Sequence, residues 1–187
     1  MECVSDKLHS YYGFLVFFWT GIRLGELLAL TMGDFDLDRH TMRINKSCQF
    51  IDGKRVVTPP KTEKSNRVVT LPENLVNELR EYFNCLYGLR DEELAFSVTK
   101  SYFEREMKSG ADLAGIEKIR IHGLRHSHAS LLISKMNVPV VAVSRRLGHV
   151  NIKTTMDVYS HLYPDQMDTI ATQLNREMSN GGNVIAW

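Results

Sequence analysis

The sequence has few cysteines and no long apolar run. Its three cysteines, Cys3, Cys48 and Cys85, are far apart and form no CxxC pair, so neither a disulfide framework nor a thiolate zinc site is indicated. The longest apolar run lies near Phe14 to Trp19, well short of the roughly 20 residues that a membrane-spanning helix needs. No charged, apolar and small-residue leader opens the chain. We therefore expect no membrane association and a cytoplasmic protein.

The sequence also lacks an excess of charge of either sign, because its formal net charge is only +1. The basic residues are nevertheless segregated, since the stretch from Lys118 to Met156 contains seven Lys or Arg residues and no Asp or Glu. A second basic stretch, from Lys54 to Arg67, contains the single acid Glu63. Such a distribution can present one positive face that suits a phosphate backbone. The alternative is a solvated basic face without a function.

The length and the periodicity predict one α+β domain that is mainly helical. A chain of 187 residues, 43% of them hydrophobic, is long enough for one buried core. The turn signal Asp52-Gly53 and alternating β-formers predict one small three-stranded antiparallel sheet, with strands over Thr41–Ile51, Arg55–Thr58 and Arg67–Leu71. Helical patterns cover Leu8–Trp19, Leu24–Leu30, Glu73–Leu86, Ser101–Ala114, Gly123–Lys135, Pro139–Leu147, Ile152–Tyr159 and Pro164–Met178. We expect a domain over residues 1–178 and a flexible tail over 179–187.

Two sequence pieces in the first half could bind an anion. In Thr20-Gly21-Ile22-Arg23-Leu24-Gly25-Glu26, an arginine stands between two glycines at a helix start, where its guanidinium can bind an oxyanion. Glu26, three residues on, could hold Arg23 in place, although such a pair is more often an ordinary surface ion pair. The second piece is Lys61 in a polar turn between strands, whose ammonium could donate a proton. A turn lysine alone is more often merely solvated.

Two further pieces lie in the second half. His122-Gly123-Leu124-Arg125-His126-Ser127-His128 offers a second planar cation, Arg125, and a histidine, His122, that can exchange a proton near neutral pH. The three histidines could instead bind a metal, but no carboxylate or cysteine lies nearby and Arg125 would repel a cation. The last piece is Leu147-Gly148-His149, followed ten residues later by Tyr159. A lone helical tyrosine usually packs in a core.

Together the pieces resemble the tyrosine recombinase, or phage-type integrase, family. The family's signature is an arginine in a TG-x-R-x-x-E context, a hairpin lysine, a His-x-x-Arg pair, a Leu-Gly-His and a tyrosine about ten residues later. This sequence supplies them in order as Arg23, Lys61, His122, Arg125, His149 and Tyr159. The phrases His122–Leu132 and Tyr159–Pro164 resemble integrases of phages and conjugative elements of Gram-positive bacteria. Gly123 stands where many relatives carry Asp, at a position that is not catalytic.

The resemblance implies site-specific DNA recombination, the integration or excision of a mobile element, through a 3′-phosphotyrosyl intermediate. Tyr159 would be the nucleophile, Arg23, Arg125 and His149 would bind the phosphoryl oxygens, and no metal or other cofactor would be required. His122 is the predicted proton acceptor and Lys61 the general acid, with Lys64 as second choice. Glu26 and His128 are predicted to support the site. The residues predicted to contact DNA are Lys64, Arg67, Arg120, Arg145, Arg146 and Lys153.

The resemblance also bears on partners and on alternatives. We expect a double-stranded recombination site, a homotetramer on two sites for a full-length protein, a monomeric fragment here, and in some systems a directionality factor. Family members carry N-terminal core-binding and arm-binding domains, which we expect to be absent from this chain. Three rival classes are a DNA-binding module that has lost catalysis, a type IB topoisomerase and a histidine-metal hydrolase. Adduct formation, relaxation of supercoils and sensitivity to chelators discriminate between them.

Overall fold

The hydrophobic pattern of the sequence builds a mainly helical structure with two small antiparallel sheets. The computed structural model describes residues 5–60, 65–86, 88–162 and 167–179. The α-helices in this part are α1 (Ser5–Thr20), α2 (Leu24–Leu27), α3 (Glu73–Cys85), α4 (Lys100–Ala114), α5 (His122–Ser130), α6 (Val140–Leu147), α7 (Ile152–Tyr159) and α8 (Met167–Ser179). The strands are β1 (Phe35–Asp36), β2 (Thr41–Ile44), β3 (Ser47–Ile51), β4 (Lys54–Thr58) and β5 (Arg67–Thr70). The predicted α+β, mainly helical class is confirmed.

The strands differ in one respect from the predicted single sheet. The sequence predicts one strand over Thr41–Ile51, but the structure divides it into β2, which pairs with β1 and β5, and β3, which forms a separate hairpin with β4. The break falls at Asn45 and Lys46, where the Lys46 ammonium bonds the buried Asp34 carboxylate and the Thr31 hydroxyl. Because this side chain is bound inward, the chain leaves the first sheet there. A three-stranded antiparallel sheet is present as predicted, but its third strand is β1, and the predicted strand Arg55–Thr58 pairs with β3 outside it.

The main core lies between α1, α2, the first sheet and α3. Aromatic rings fill its centre, where Tyr82 stacks on both Tyr12 and Phe96 with centroids 4.7 and 5.3 Å apart. Tyr82 is fully buried and its hydroxyl donates to the Ala95 carbonyl oxygen. This satisfied polar end allows a tyrosine to occupy the core without the penalty of an unpaired hydroxyl.

A second, smaller core joins the helices of the C-terminal half. It contains Ala129 and Ile133 from α5 and the π-helical turn that follows it (Leu131–Lys135), with Val143 and Leu147 from α6 and Tyr159 from α7. Helix α1 also packs on α5, so the two halves are held against each other. The end of α1, the start of α2, the start of α5 and the end of α6 meet there. Among the helices that the structure describes, none is long and apolar enough to cross a membrane.

Candidate active site

Arg23 begins α2 and connects the two halves of the chain. It is the N-cap residue, with an extended backbone (φ −79°, ψ 150°), and its backbone N–H donates to Glu26 Oε2 at 2.8 Å. Its Nη1 donates to Glu26 Oε1 at 2.9 Å. Its Nη2 donates to the carbonyl oxygen of Gly148, 125 residues away, at 3.0 Å. The guanidinium is thus oriented from both sides while its side chain remains 39% exposed, so it can still receive an anion.

Glu26 is the buried carboxylate around which this region is organised. It is 4% exposed and binds Arg67 in a bidentate pair, with Nη1–Oε1 and Nη2–Oε2 distances of 3.0 and 2.9 Å. Burial alone would raise the pKa of Glu26, but the hydrogen bonds and charges of Arg67 and then Arg23 outweigh it and lower that pKa. One carboxylate therefore fixes two arginines, as predicted for Arg23 and unforeseen for Arg67.

The glycine of the Leu-Gly-His motif makes room for this arrangement. Gly148 ends α6 with a left-handed backbone (φ 68°), and a Cβ there would lie 2.6 Å from Nη1 of Arg67. Any side chain would therefore push the Arg67 guanidinium away from Glu26, besides being strained at this φ. The motif carries a glycine because the backbone must approach the buried ion pair closely.

Arg125 lies in α5 at the junction of the two cores. Its side chain is buried, with the residue only 2% exposed, and donates through Nη1 to the Gly21 carbonyl oxygen at 2.5 Å and through Nη2 to that of Leu147 at 2.8 Å. Burial, followed by the nearby charge of Arg23, lowers the pKa of Arg125 to about 9. A bound anion would offset both effects by stabilising the charged form, so this pair of cations favours an oxyanion beside them.

The two predicted histidines lie within the field of these arginines. Burial, then Arg125 and Arg23, lower the pKa of His149 to about 4. Its Nδ1 is 2.7 Å from the hydroxyl of the buried Thr155, which orients the ring. Burial, then His126, Arg125 and Arg23, also lower the pKa of His122. Both rings are therefore neutral at pH 7 and able to share hydrogen bonds with a phosphate or a proton donor.

Tyr159 is the last residue of α7 and its ring belongs to the second core. The residue is 4% exposed, and its hydroxyl is 2.6 Å from Nδ1 of His126. Burial raises the pKa of Tyr159, although the charge of Arg125 acts in the opposite direction. The structure thus brings together Arg23, His122, Arg125, His149 and Tyr159, from three helices (α2, α5 and α7) and the loop after α6. The sixth predicted catalytic residue, Lys61, lies outside the described residues.

His128 is buried beside this junction, in contact with Arg146 and Gly21. It is 2% exposed, its Nε2 accepts from Nε of Arg146 at 3.1 Å, and its ring packs so closely on Gly21 that a Cβ there would lie 2.5 Å from Cδ2. Burial, then Arg146 and Arg125, lower the pKa of His128 to about 4. Arg146 in turn donates to the carbonyl oxygens of Trp19 and Thr70. The pair connects α5 and α6 to the end of α1 and to β5.

The low pKa of His128 predicts an acid-sensitive fold. The unfolded chain binds the proton near the ordinary pKa of about 6.5, whereas the folded chain resists it until about pH 4. The contribution of His128 to the unfolding free energy is therefore fully present above pH 6.5 and is lost as the pH falls toward 4. In His128→Gln, whose amide oxygen can replace Nε2 as acceptor, we expect the pH slope of the unfolding free energy in this window to be smaller by up to about 1.4 kcal/mol per pH unit.

Urea titrations at half-unit pH steps measure that slope. Ser127→Ala, an exposed neighbour on α5, serves as the control and should retain the slope of the original chain. Equal slopes for His128→Gln and the original chain would show that His128 is not responsible.

The residues predicted to contact DNA separate into two groups. Arg120, Arg145 and Lys153 have exposed side chains and remain available for phosphate contacts. The guanidiniums of Arg67 and Arg146 are instead bound to protein acceptors, and the side chain of Arg67 is only 8% exposed. This geometry favours a structural role for both. Lys64 lies outside the described residues.

Helix α5 separates the three histidines that could have formed a metal site. His122 and His126 meet edge to face with centroids 4.9 Å apart, while His128 faces Arg146. In the part of the chain that the structure describes, no three His, Cys, Asp or Glu residues are grouped so that they could hold a metal ion.

Three residues of the site were not identified from the sequence in their present roles. The sequence does not reveal the role of Arg67, because its partner Glu26 is 41 residues away. It does not reveal the role of Thr155 either, because nothing distinguishes this residue from an ordinary helical threonine. His126 could have been identified, because it follows His122 by four residues and so shares its helix face. In the sequence, the three histidines indicate only a candidate metal site.

Comparisons with known proteins identify a family model and several similar sequences. The model of the phage integrase family matches residues 1–166. The ICEBs1 integrase of Bacillus subtilis (strain 168) is 36% identical over 185 residues, covering 91% of this chain and 50% of that protein. The integrase of Staphylococcus phage L54a is 31% identical over 168 residues, covering 80% of this chain and 46% of that protein. The chain spans about half the length of the curated relatives it matches.

Solved structures share the fold. The crystal structure of XerA recombinase matches with a TM-score of 0.66 and 25% identity, covering 92% of this chain and 58% of that chain. The Tn1549 transposon integrase in complex with a circular intermediate DNA matches with a TM-score of 0.73 and 15% identity, covering 94% of this chain and 64% of that chain. The second likeness concerns the fold alone.

Proposed function

The chain belongs to the phage integrase family, and from this premise we propose that it cleaves and rejoins DNA strands in site-specific recombination through a 3′-phosphotyrosyl intermediate. The observation that supports this most directly is the meeting of Arg23 and Arg125 with Tyr159 and two neutral histidines. These residues come from distant parts of the sequence, and buried hydrogen bonds hold them. Such an arrangement suits a single phosphodiester.

The proposed reaction exchanges one phosphodiester for another. Tyr159 Oη attacks the scissile phosphorus, the bond to the 5′-oxygen breaks, and a 5′-hydroxyl from another strand later reverses the step. Negative charge grows on the non-bridging oxygens in the transition state, where Arg23 and Arg125 stabilise it and His149 adds a hydrogen bond. Losing one such preorganised donor typically costs about 3–4 kcal/mol of transition-state stabilisation. Because one phosphodiester replaces another, the reaction requires no ATP, and Arg23 and Arg125 are proposed to supply the positive charge that a metal would otherwise provide.

Proton transfers complete the proposed step. The tyrosine hydroxyl must lose its proton, and the 5′-oxygen must gain one to leave. Lys61 is the proposed general acid, with Lys64 as the second candidate, and general acid–base catalysis is commonly worth about 10²–10⁴ in rate. The sequence predicts His122 as the proton acceptor.

The proposed partner is a double-stranded recombination site. The exposed Arg120, Arg145 and Lys153 are proposed to contact its phosphates. A homotetramer on two sites and a directionality factor are proposed for a full-length protein. Two proteins of similar fold were solved with such partners: the Tn1549 transposon integrase in complex with a circular intermediate DNA, and XerH recombinase bound to difH substrate.

Covalent capture of DNA tests the function. We would use a library of nicked duplexes with a 5′-bridging phosphorothiolate and randomised flanks, since the target sequence is unknown. The chain should form an adduct that survives boiling in detergent and is insensitive to chelators. Peptide mapping should locate the nucleotide on Tyr159. No adduct from a folded protein would support a silent DNA-binding module, and relaxation of supercoils without site preference would support a topoisomerase.

A further inference from the structure

The hydroxyl of Tyr159 is held by a histidine that lies outside the family signature. Nδ1 of His126 is 2.6 Å from Tyr159 Oη, and the two rings are 5.8 Å apart at an interplanar angle of 51°. The tyrosine ring cannot move freely, because it is 4% exposed and packs in the second core with Ile133 and Leu147. Its hydroxyl is therefore directed at His126 by packing.

His126 is also placed so that a proton could leave the site. It lies on α5 beside Arg125 and one turn after His122, whose ring meets it edge to face at 4.9 Å. In contrast to Tyr159, His126 is exposed, so its other ring nitrogen can exchange with water. The proton therefore has a path from the buried phenol to the solvent through one imidazole.

The surroundings of the two rings separate their roles. Within the described ranges, the titratable groups that contact His126 are Tyr159 on α7 and His122 on α5. Arg125 precedes it on the same helix, and α1, which packs on α5, has no basic residue in its last turn. The charges of Arg125 and Arg23 act on His122. His122 is thus placed with the phosphate-binding cations, and His126 is placed on the nucleophile.

We propose that His126, rather than His122, accepts the proton of the nucleophile. As the bond from Tyr159 Oη to phosphorus forms and the bond to the 5′-oxygen breaks, the phenolic proton moves to Nδ1 of His126. The leaving oxygen takes its proton from the general acid. In rejoining, His126 returns its proton to Oη as the 5′-hydroxyl displaces the tyrosine. The assignment rests on the proposed function and leaves His122 to bond a phosphoryl oxygen.

Single-turnover cleavage of the 5′-phosphorothiolate duplex measures the proton transfer from Tyr159 separately from the protonation of the leaving group. A thiolate leaves without needing a proton, so the measured rate reports on the nucleophile and not on Lys61. His126→Asn places an amide oxygen near the position of Nδ1, which can accept the hydrogen bond but cannot carry the proton away. We expect both His126→Asn and His126→Ala to cleave about 10²–10⁴-fold more slowly and to lose the acidic limb of the pH profile.

Two controls exclude a merely structural effect. Ser127→Ala changes the next, exposed residue of α5, whose hydroxyl bonds the Gly123 carbonyl oxygen, and should leave the rate unchanged. Incorporation of 3,5-difluorotyrosine at position 159 makes the phenol more acidic and so less dependent on an acceptor. We expect this replacement to restore at least about tenfold in His126→Asn, within the range that such proton transfer contributes.

Three outcomes would overturn the assignment. His126→Asn could cleave at the original rate, the fluorinated phenol could bring no recovery, or His122→Asn instead of His126→Asn could remove the acidic limb. In each case the original chain still forms its adduct, so the proposed function stands. Absence of any adduct from the folded original chain would instead overturn the proposed function, and the assignment with it.

Discussion

Replacing Tyr159 with phenylalanine should abolish covalent capture of DNA while leaving the fold intact. The substitution removes only the hydroxyl, and phenylalanine offers no atom that can attack phosphorus. The ring would still fill the second core between α5, α6 and α7. The lost bond to His126 should lower the unfolding free energy by only about 0.5–1.5 kcal/mol, because the exposed histidine can bond water instead. Adduct yield on denaturing gels and thermal unfolding measure the two effects.

Tyr102→Phe provides the matched control. Tyr102 also lies on a helix, α4, and its buried hydroxyl has no hydrogen-bond partner among the residues that the structure describes. Its replacement should leave the adduct yield unchanged. If Tyr159→Phe still formed the adduct at the original rate, the nucleophile would be another residue, and Tyr163, four residues on, would be tested next. The structure does not describe Tyr163.

The local motifs and the family resemblance together predict which residues meet at the junction. Arg23, Arg125, His149 and Tyr159 each stand in a short pattern whose helix start or end could be recognised from glycine and charge. Their convergence came from the resemblance to a family, since no local rule brings Arg23 within reach of Gly148. The motif-based identification of the family is confirmed by the family model and by the identity to curated integrases.

The residues that hold the site together could not be predicted in the same way. The sequence predicts Arg67 as a DNA contact because it belongs to the basic stretch from Lys54 to Arg67. Its bidentate pair with Glu26 spans 41 residues, and its bond to the Arg146 carbonyl oxygen spans 79. The sequence also predicts β2 and β3 as one strand, because the alternation of apolar and polar residues continues through Lys46. The partner of Lys46, Asp34, is 12 residues away. Ion pairs between residues far apart in the sequence determine both the position of Arg67 and the break between β2 and β3.

Removal of the Glu26 carboxylate should produce the largest loss of stability. In Glu26→Ala, Arg67 would keep its buried position but lose both charged bonds, and Arg23 would lose the group that orients it. Breaking one partner of a buried ion pair typically costs about 3–5 kcal/mol. We expect the unfolding free energy to fall by about that amount, and cleavage by the remaining folded protein to fall as well. Urea unfolding and single-turnover cleavage measure the two losses.

Two further variants separate charge from geometry. Glu26→Gln keeps the shape and one acceptor oxygen but presents an NH₂ to an arginine, so its loss should lie between those of Ala and the original chain. Glu104→Ala breaks the exposed pair with Lys100 on α4, whose N–O distance is 3.4 Å. That surface pair should contribute less than about 1 kcal/mol. Equal losses for Glu26→Ala and Glu104→Ala would contradict the central role of Glu26.

The same carboxylate gives the site a dependence on pH with a defined sign. The pKa of Glu26 is lower in the folded chain than in the unfolded chain, so its stabilisation is present above the unfolded pKa and is lost as the pH falls through the folded one. Protonation would release Arg23 and Arg67 together. Because Arg67 also donates to the carbonyl oxygen of Arg146 and lies close to Gly148, loosening this pair should disturb the end of α6 and the position of His149. The stability of the fold and the geometry of the phosphate site therefore depend on one buried charge.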